Sequence, residues 1–311
     1  MKIDVIIPTY KPDKKFIQLV EWLEKQTTAI NKIIVINTEE RYIRQLLTGT
    51  SFLSKHQILE ISNISKHEYD HGKTRNFGAK KSDADILVYM TQDAIPYDEF
   101  LIENLVTALN REDAAVAYAR QLPADDATLT EKITRGFNYP ASGKVKTKND
   151  LDKLGIKTFF CSNVCAAYKR EVFDKLGGFI NKTIFNEDMI FAATAIQAGY
   201  SIVYAPQARV VHSHNYTYSQ QFKRNFDLGV SQAQHPEIFE GISSEKEGKA
   251  MVKLALQRLN ETGHKKDVVT YVLMSGAKFL GYRAGKAYKR LPKKLVKKWS
   301  GSPTYWEREN Y

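Results

Sequence analysis

Strand-like apolar runs alternate with helix-length segments through the first 120 residues, and this alternation constrains the fold more than any other feature of the sequence. The runs stand at residues 3–8, 32–37, 58–62, 84–90 and 114–120. Most of them are separated by segments of helical length, at 14–26, 73–81 and 98–110. Alternation of this kind is typical of a mainly parallel central sheet flanked by helices. We therefore predict an α/β fold.

The pattern becomes less regular in the second half of the chain. Residues 121–158 are rich in Asp, Lys, Thr and Gly and have weak periodicity, so we expect loops and short helices there, near the functional site. The elements predicted beyond this segment are a strand at 162–169, a helix from Arg170 to a stop at Gly177 and Gly178, a helix with Asn186 as its N-cap, two short strands at 201–206 and 208–214, and helices from Tyr218 onward.

The length allows one large domain with an appendage. At 311 residues, of which 43% are apolar, the chain can bury a sizeable core. We divide it into a main domain at 1–240 and a helical, basic C-terminal region at 241–311. No run reaches the roughly 18 to 20 uncharged apolar residues that a spanning helix needs, and the opening MKIDVIIPTY is predicted as a strand. We therefore expect a cytoplasmic protein, peripheral on the inner face of the cell membrane.

The positive charge is concentrated near the C-terminus. Nine Lys and Arg residues lie between 278 and 298 with no acidic residue among them, and they carry nine of the eleven net positive charges. Apolar residues alternate with them from Val268 to Trp299, as in an amphipathic helix on an anionic membrane surface. The apolar face would equally suit a homodimer, and a solvated helix face is the simpler alternative. Nucleic acid is not an expected partner, because the tail has no recognised binding motif.

Motif spacing excludes several common sites. Cys161 and Cys165 lie four apart without a second pair, which fits neither a disulfide framework nor a zinc site, so we expect two reduced, buried thiols. The first strand runs into PTYKPDK, which lacks the glycines of a dinucleotide-binding turn. A P-loop is also absent from the sequence.

Asp93 is a candidate metal ligand, and two histidines share one face of a predicted strand. Asp93 follows a predicted strand, and the carboxyl ends of parallel strands form the edge where ligands bind. Carboxylate oxygens suit Mg²⁺ and Mn²⁺, although Asp93 could instead cap the turn before Pro96. His212 and His214 stand two apart in a strand-like run, so they project to the same face. Each histidine could instead have a purely structural role.

Glu187 and Asp188 stand in the first turn of a predicted helix. A hydroxyl is a poor nucleophile until a base removes its proton, and an aspartate at a helix start can serve as such a base. Both acids would also stabilise the helix N-terminus through its dipole, which does not exclude catalysis.

Five motifs in order resemble those of one enzyme family. They are Pro8-Thr9-Tyr10, Asp70-x-Gly72-x-x-Arg75-Asn76, Gln92-Asp93, Asn186-Glu187-Asp188 and His212-x-His214. Over residues 1–215 the chain resembles inverting nucleotide-sugar glycosyltransferases of family two, which have the GT-A fold. HEYDHGKTRN resembles the D-H-G-x-T-R-N signature of bacterial rhamnosyltransferases, and HSHNYTYSQQFKRNFDLGV is similar to the same subgroup.

The resemblance implies a function and a set of site residues. It implies transfer of L-rhamnose from dTDP-β-L-rhamnose to a lipid-linked cell-wall or surface polysaccharide, with Mn²⁺ or Mg²⁺ as cofactor. It assigns the base to Asp188 and acceptor positioning to Glu187. It assigns the metal to Asp93 together with His212, the first choice, and His214. At the position of the family's usual D-x-D, this chain has Thr91-Gln92-Asp93. The residues that it implies for nucleotide-sugar binding are Pro8, Thr9, Tyr10, Asn37, Asp70, Arg75 and Gln92. Among them, Arg75 would support the diphosphate. Asn76 either binds the ligand or ties loops together.

Two alternatives remain open at the level of sequence. The same fold could use UDP-galactose or UDP-N-acetylglucosamine as donor. From another class, a non-enzymatic membrane-binding or nucleic-acid-binding protein would also explain the basic tail.

Overall fold

The computed structural model describes residues 1–242, 245–261, 263 and 265–308. These residues form one nine-stranded sheet. Its strands are β1 (Ile3–Tyr10), β2 (Lys32–Thr38), β3 (Leu59–Ile64), β4 (Ile86–Met90), β5 (Ile95–Pro96), β6 (Ala114–Leu122), β7 (Lys144–Lys146), β8 (Cys165–Lys169) and β9 (Ser201–Val211).

The sheet is mixed. Its order is β3-β2-β1-β4-β8-β6-β9-β5, with β7 paired to β9. The four strands from β3 to β4 run parallel, whereas β8 is antiparallel to both of its neighbours, β4 and β6. The carboxyl ends of β1, β2 and β4 therefore meet at one edge, where a doubly wound sheet binds ligands.

Helices cover both faces of the sheet. The helices are α1 (Lys14–Leu23), α2 (Glu40–Leu47), α3 (Phe52–Lys55), α4 (His71–Lys80), α5 (Leu101–Leu109), α6 (Leu129–Asn138), α7 (Leu151–Leu154), α8 (Arg170–Lys175), α9 (Glu187–Gln197), α10 (Tyr218–Gln234), α11 (Pro236–Phe239), α12 (Glu245–Glu261), α13 (Lys265–Lys286), α14 (Lys293–Trp299) and α15 (Pro303–Arg308). Short 3-10 turns stand at Lys148–Asp150, Gly155–Phe159 and Tyr288–Arg290.

Alternate strand residues pack into two separate cores. Ile6, Ile34 and Ile36 belong to the core on one face, whereas Val5 and Ile7 belong to the core on the other. This is the two-residue periodicity of a sheet that is buried on both faces. Both cysteines are buried and free, as predicted.

The two short strands predicted at 201–206 and 208–214 are one strand, β9. Its pairing with β6 jumps from Ala119–Ala205 to Arg120–Arg209, so the residues around Pro206 bulge out of the ladder. Proline has no N–H to donate to a ladder, and a bulge accommodates it without ending the strand. The strand then continues to Val211, which brings His212 to the ligand-binding edge.

The single amphipathic helix predicted from Val268 to Trp299 is also wrong. The helix ends at Lys286, and α14 begins after Pro292, which occupies the N-cap position. Helix α13 crosses α10 at close range through glycines: a Cβ added at Gly281 would lie 2.3 Å from Phe222 O, and one at Gly285 would lie 2.1 Å from Phe226 O. Helix α13 is thus fixed against α10, while the division at residue 240 stays a prediction.

Among the described residues, no helix combines the length and apolar character needed to cross a bilayer.

Candidate active site

The loop before α4 forms the floor of the site. Asp70 is the N-cap of α4, and its Oδ1 accepts hydrogen bonds of 3.0 Å from the N–H groups of Gly72 and Lys73. Its Oδ2 accepts another from Thr183 N–H, at 3.1 Å. A Cβ on Gly72 would lie 1.7 Å from Ile180 O, so only glycine permits this contact. The buried Asp70 carboxylate therefore joins α4 to the chain around residue 183, and its oxygens are engaged by backbone.

Asn76 joins the same two regions. Its side chain donates to Phe179 O at 2.7 Å and accepts from Phe179 N–H at 2.9 Å. Of the two roles considered for Asn76, the structure displays the tie between loops.

A cavity of about 450 Å³ opens above this floor. It is bordered by the end of β1, the residues after β4, the start of α4 and the C-terminal segment. Its lining includes the predicted nucleotide-binding residues Pro8, Thr9, Tyr10, Asp70, Arg75 and Gln92, together with Thr38, Lys66, Tyr69, His71, Thr91, Thr183, Ile184 and residues 301–305. Six of the seven residues predicted to bind nucleotide sugar thus surround one cavity.

Asn37 lies behind this cavity wall. It is fully buried, accepts from Thr9 Oγ1 at 3.0 Å and donates to Asn63 Oδ1 at 2.8 Å. The wall itself is held by Gln92, whose amide exchanges hydrogen bonds with the N–H and C=O of Tyr10, at 2.9 and 3.2 Å. The polar residues at the ends of β1, β2 and β4 therefore fix one another.

Strand pairing assembles the candidate metal site. Ile95 in β5 pairs with Val211 in β9, so Asp93 and His212, which flank that pair, are brought together. His212 Nε2 lies 3.5 Å from Asp93 Oδ1, and His214 Nε2 lies 3.3 Å from Asp93 Oδ2. The ligand atoms of the three residues all lie within 4.8 Å of one another. Two imidazole nitrogens and a carboxylate are a donor set that fits a divalent transition metal.

Hydrogen bonds orient His212 toward this cluster. Gln121 Oε1 accepts a short bond from the guanidinium of Arg135, a group that can only donate, so this atom is an acceptor. His212 Nδ1 lies 3.3 Å from the same oxygen and must therefore carry the proton. This tautomer leaves a lone pair on Nε2, the atom that faces Asp93 and His214. Burial also lowers the pKa of His212 well below its usual range, which keeps the ring neutral.

The negative charge of Glu187 is balanced by a buried ion pair with Arg75. Its Oε1 lies 3.2 Å from Arg75 Nη1, and both side chains are less than a tenth exposed. Burial opposes ionisation of Glu187, but the charges of Arg75 and His71 and a hydrogen bond from Asn163 outweigh it, so its pKa is lowered. Arg75, predicted to support the diphosphate, thus lines the cavity while it holds Glu187. Among the described residues, its buried Nε has no hydrogen-bond partner.

Asp188 has the opposite electrostatic environment. Its Oδ2 accepts the backbone N–H of Asn163 at 3.0 Å, and its Oδ1 accepts Met189 N–H at 2.8 Å. Burial, together with the negative charge of Glu187, raises the pKa of Asp188 to about 7. A carboxyl with this pKa can accept a proton from a hydroxyl near neutral pH.

The helix that bears these acids begins differently from the prediction. Asn186 is the N-cap of α9, but its backbone is left-handed, with φ of 66°, and its side chain makes no capping bond. It donates instead to Ser231 Oγ in α10, at 3.2 Å. The asparagine side chain is therefore used to fix α9 against α10, and the left-handed turn presents Glu187 and Asp188 in sequence.

Several residues of the site were missed by sequence reasoning. Gln121 stands at the end of β6, where the rule that selected Asp93 also applies. Asn163 belongs to no recognisable motif. Its side chain donates to Glu187 Oε1 at 3.1 Å, and its backbone N–H donates to Asp188. Arg224 in α10 lies over the Phe185 ring at 4.8 Å, and its charge acts on both His212 and His214. Its helical position gives no sign of this role.

Comparison with known protein families identifies the family of the chain. The family model for Glycosyl transferase family 2 matches residues 4–177, more than half of the chain. The chain belongs to this family. It is a glycosyltransferase, as predicted, and the alternative of a non-enzymatic binding protein is set aside.

Two relatives align with the transferase over its whole length. It is 40% identical to the O-antigen chain rhamnosyltransferase RfbN of Salmonella typhimurium strain LT2, over all of this chain and 98% of the relative. It is 38% identical to the O-antigen chain rhamnosyltransferase WbaN of Salmonella anatum, over 99% of this chain and 96% of that relative.

Solved structures share the transferase's fold. The mannosyltransferase PcManGT from Pyrobaculum calidifontis, in complex with GDP-Man and Mn²⁺, superposes with a TM-score of 0.63 at 16% identity, covering 93% of this chain and 88% of that one. TarS 1-349 of S. aureus, in complex with UDP-GlcNAc, gives 0.51 at 14% identity, covering 93% and 92%. The predicted α/β fold of GT-A type, with a helical C-terminal extension, is confirmed.

Proposed function

We propose that the enzyme transfers L-rhamnose, with inversion, from dTDP-β-L-rhamnose to a lipid-linked saccharide of a surface polysaccharide. The observation that carries the chemistry is the Asp188 carboxyl, whose pKa of about 7 suits a general base. The choice of rhamnose is supported by two O-antigen chain rhamnosyltransferases that match the full length of the chain.

Asp188 acts as the base in a single displacement. The acceptor hydroxyl attacks C1 of the sugar as its proton passes to Asp188, and the bond from C1 to the diphosphate oxygen breaks with its electron pair on the leaving group. Because attack and departure occur on opposite sides of C1, one displacement inverts the configuration. Glu187 carries a charge matched by Arg75, so it positions the neighbouring groups rather than competing for the proton.

The leaving diphosphate requires positive charge, since negative charge accumulates on it as the bond breaks. Arg75 and Lys66 line the cavity, and Arg135 and Arg224 lie close enough to act on the histidine pair. A divalent cation held by Asp93, His212 and His214 would supply further charge stabilisation to the diphosphate.

We propose Mn²⁺ in preference to Mg²⁺ for this position. Mg²⁺ prefers oxygen ligands and an octahedral shell with several waters, whereas imidazole nitrogen suits transition metals. The donor set has two imidazoles for one carboxylate. The similar fold of PcManGT in complex with Mn²⁺ is consistent with this choice.

The exposed face of α13 is proposed to bind the cytoplasmic face of the membrane, where a lipid-linked acceptor lies. Five apolar side chains on this helix are between 49% and 63% exposed: Val269, Val272, Leu273, Phe279 and Leu280. Their spacing places them along one stripe, and the chain beyond them is strongly basic. Leu291 and Trp299, also predicted for this face, pack instead against the cluster around Phe226. The alternative is that this stripe forms the interface of a homodimer.

Nucleotide release tests the donor assignment. The enzyme is given dTDP-rhamnose, UDP-galactose or UDP-N-acetylglucosamine with Mn²⁺ and a membrane extract that contains acceptor, and the freed nucleotide is quantified. We expect dTDP release from dTDP-rhamnose to exceed UDP release from either other donor by at least tenfold. Preferential release of UDP would instead favour the alternative donors.

A further inference from the structure

The C-terminal segment Gly301–Tyr305 lies against the cavity that is lined by six of the residues predicted to bind the nucleotide. Gly301, Ser302, Pro303, Thr304 and Tyr305 all border it, although the family match ends at residue 177. The same cavity is bordered by Pro8, Thr9 and Tyr10 at the end of the first strand. Residues from the two ends of the chain therefore line a single space.

This segment is anchored by specific contacts. Gly301 N–H donates to Asp227 Oδ2 in α10, at 2.8 Å. Tyr305 and Trp306 are at least 95% buried, in a cluster with Phe226 and Tyr288. The Tyr305 hydroxyl donates to Gln234 Oε1 at 3.2 Å. Helix α10 therefore holds the segment at both of its ends.

The chemistry of this wall suits an anionic nucleotide. Its sequence, GSPTY, brings two small hydroxyl side chains and no acidic group to the cavity. Lys66 and Arg75 also line the cavity, while the one carboxylate among the lining residues, Asp70, is engaged by three backbone N–H groups. Hydroxyl and backbone groups are the donors that commonly contact phosphate and ribose oxygens.

We propose that Gly301–Tyr305 forms a wall of the donor pocket and contacts the nucleoside diphosphate of the bound donor. This inference rests on the proposed function, because it takes the cavity to be the donor site. It assigns a binding role to the C-terminal region beyond membrane association, with Asp227 as the positioning residue.

Filling the cavity from this wall tests the inference. Ser302→Trp and Thr304→Trp are made in the full chain, with Glu307→Trp as the control, because Glu307 is exposed and does not line the cavity. Calorimetric titration with dTDP, UDP and GDP in the presence of Mn²⁺ is expected to give at least tenfold weaker nucleotide binding for the two cavity variants. The control should bind as wild type does, and all three variants should keep the wild-type unfolding temperature within a few degrees.

A second pair of variants tests the anchor. Asp227→Ala removes the acceptor of the Gly301 N–H, so we expect nucleotide affinity to fall threefold to tenfold. Asp227→Asn keeps an acceptor oxygen at this place and should restore the affinity. Restoration by asparagine distinguishes the positioning of the wall from a general loss of packing.

The outcomes separate the two proposals. If wild type binds UDP or GDP in preference to dTDP, the dTDP donor is wrong, while the variants still decide the role of the wall with the nucleotide that binds. If wild type binds dTDP and both tryptophan variants bind it equally well, the proposed contact of Gly301–Tyr305 with the nucleotide is wrong, whereas the dTDP donor is retained. Wild type that binds none of the three nucleotides would overturn both.

Discussion

The backbone N–H of Asn163 donates a 3.0 Å hydrogen bond to Asp188 Oδ2, while the Asn163 side chain donates to Glu187. One residue thus fixes both acids at the start of α9. The neighbouring Ser162 Oγ accepts from Gln121 Nε2 at 2.9 Å, and Gln121 in turn orients His212. The candidate base and the candidate metal site are therefore connected through a few hydrogen bonds, so their relative position is set by the fold.

The raised pKa of Asp188 predicts a pH-dependent stability difference. Its folded pKa of about 7 exceeds the usual value near 4, so wild type loses stability as pH rises from about 4 to 7 and retains that loss above 7. Asp188→Asn lacks this penalty. We expect the variant to be more stable than wild type by about 1 to 3 kcal/mol at pH 8 and equally stable at pH 4, by denaturant unfolding. A difference that does not change with pH would contradict the raised pKa.

The Arg75–Glu187 pair predicts strong coupling. Glu187→Gln leaves a buried guanidinium without its counter-charge, which costs about 3 to 5 kcal/mol of unfolding free energy. Adding Arg75→Met should recover part of this loss, because the unpaired charge is then removed. Denaturant unfolding of the two single variants and the double variant measures the coupling. Strictly additive losses would show that the two side chains do not stabilise each other.

The orientation of His212 predicts an effect on metal binding. Gln121→Leu removes the oxygen that His212 Nδ1 contacts, and loss of such a supporting bond lowers metal affinity by about 10-fold to 100-fold. Mn²⁺ affinity is measured by titration calorimetry, with Gln207→Leu at an exposed position as the control. Equal affinities for all three proteins would remove Gln121 from this role, and tighter binding of Mg²⁺ than Mn²⁺ by wild type would argue against the imidazole ligands.

The apolar stripe on α13 predicts binding to anionic vesicles. Leu273→Glu combined with Leu280→Glu places charge on the proposed contact face, so we expect at least a fivefold drop in co-sedimentation with vesicles that contain phosphatidylglycerol. Leu53→Glu is the matched control, since Leu53 is 54% exposed on α3. If vesicle binding persists in the double variant while a dimer dissociates, the stripe is a subunit interface.

Local patterns predicted most of the fold and much of the site. Strands, their order of appearance and the residues at their ends follow from short-range periodicity, and this rule led to Asp93, whereas the roles of Thr9 and His212 came from the family resemblance. The proximity of Asp93 and His212 depends on the pairing of Ile95 with Val211, a contact between distant parts of the chain. No local pattern encodes that pairing.

The roles of Arg75 and the C-terminal segment were inaccessible for the same reason. The family resemblance implies that Arg75 supports the diphosphate, but it does not reveal the ion-pair partner of Arg75, because Glu187 begins a helix far along the chain. The tail was predicted as one amphipathic helix because its charge pattern is continuous. Pro292 divides it, and the part beyond returns to the cavity through packing on α10 that the sequence pattern does not reveal.

Rhamnosyl transfer by Asp188→Asn, with donor binding measured in parallel, is the most direct test of the proposed base. The variant replaces the carboxylate with a group of the same shape that cannot accept a proton. We expect dTDP affinity within threefold of wild type, and transfer from dTDP-rhamnose to a lipid-linked acceptor reduced by at least a factor of about 100. Transfer at a rate near that of wild type would contradict Asp188 as the base.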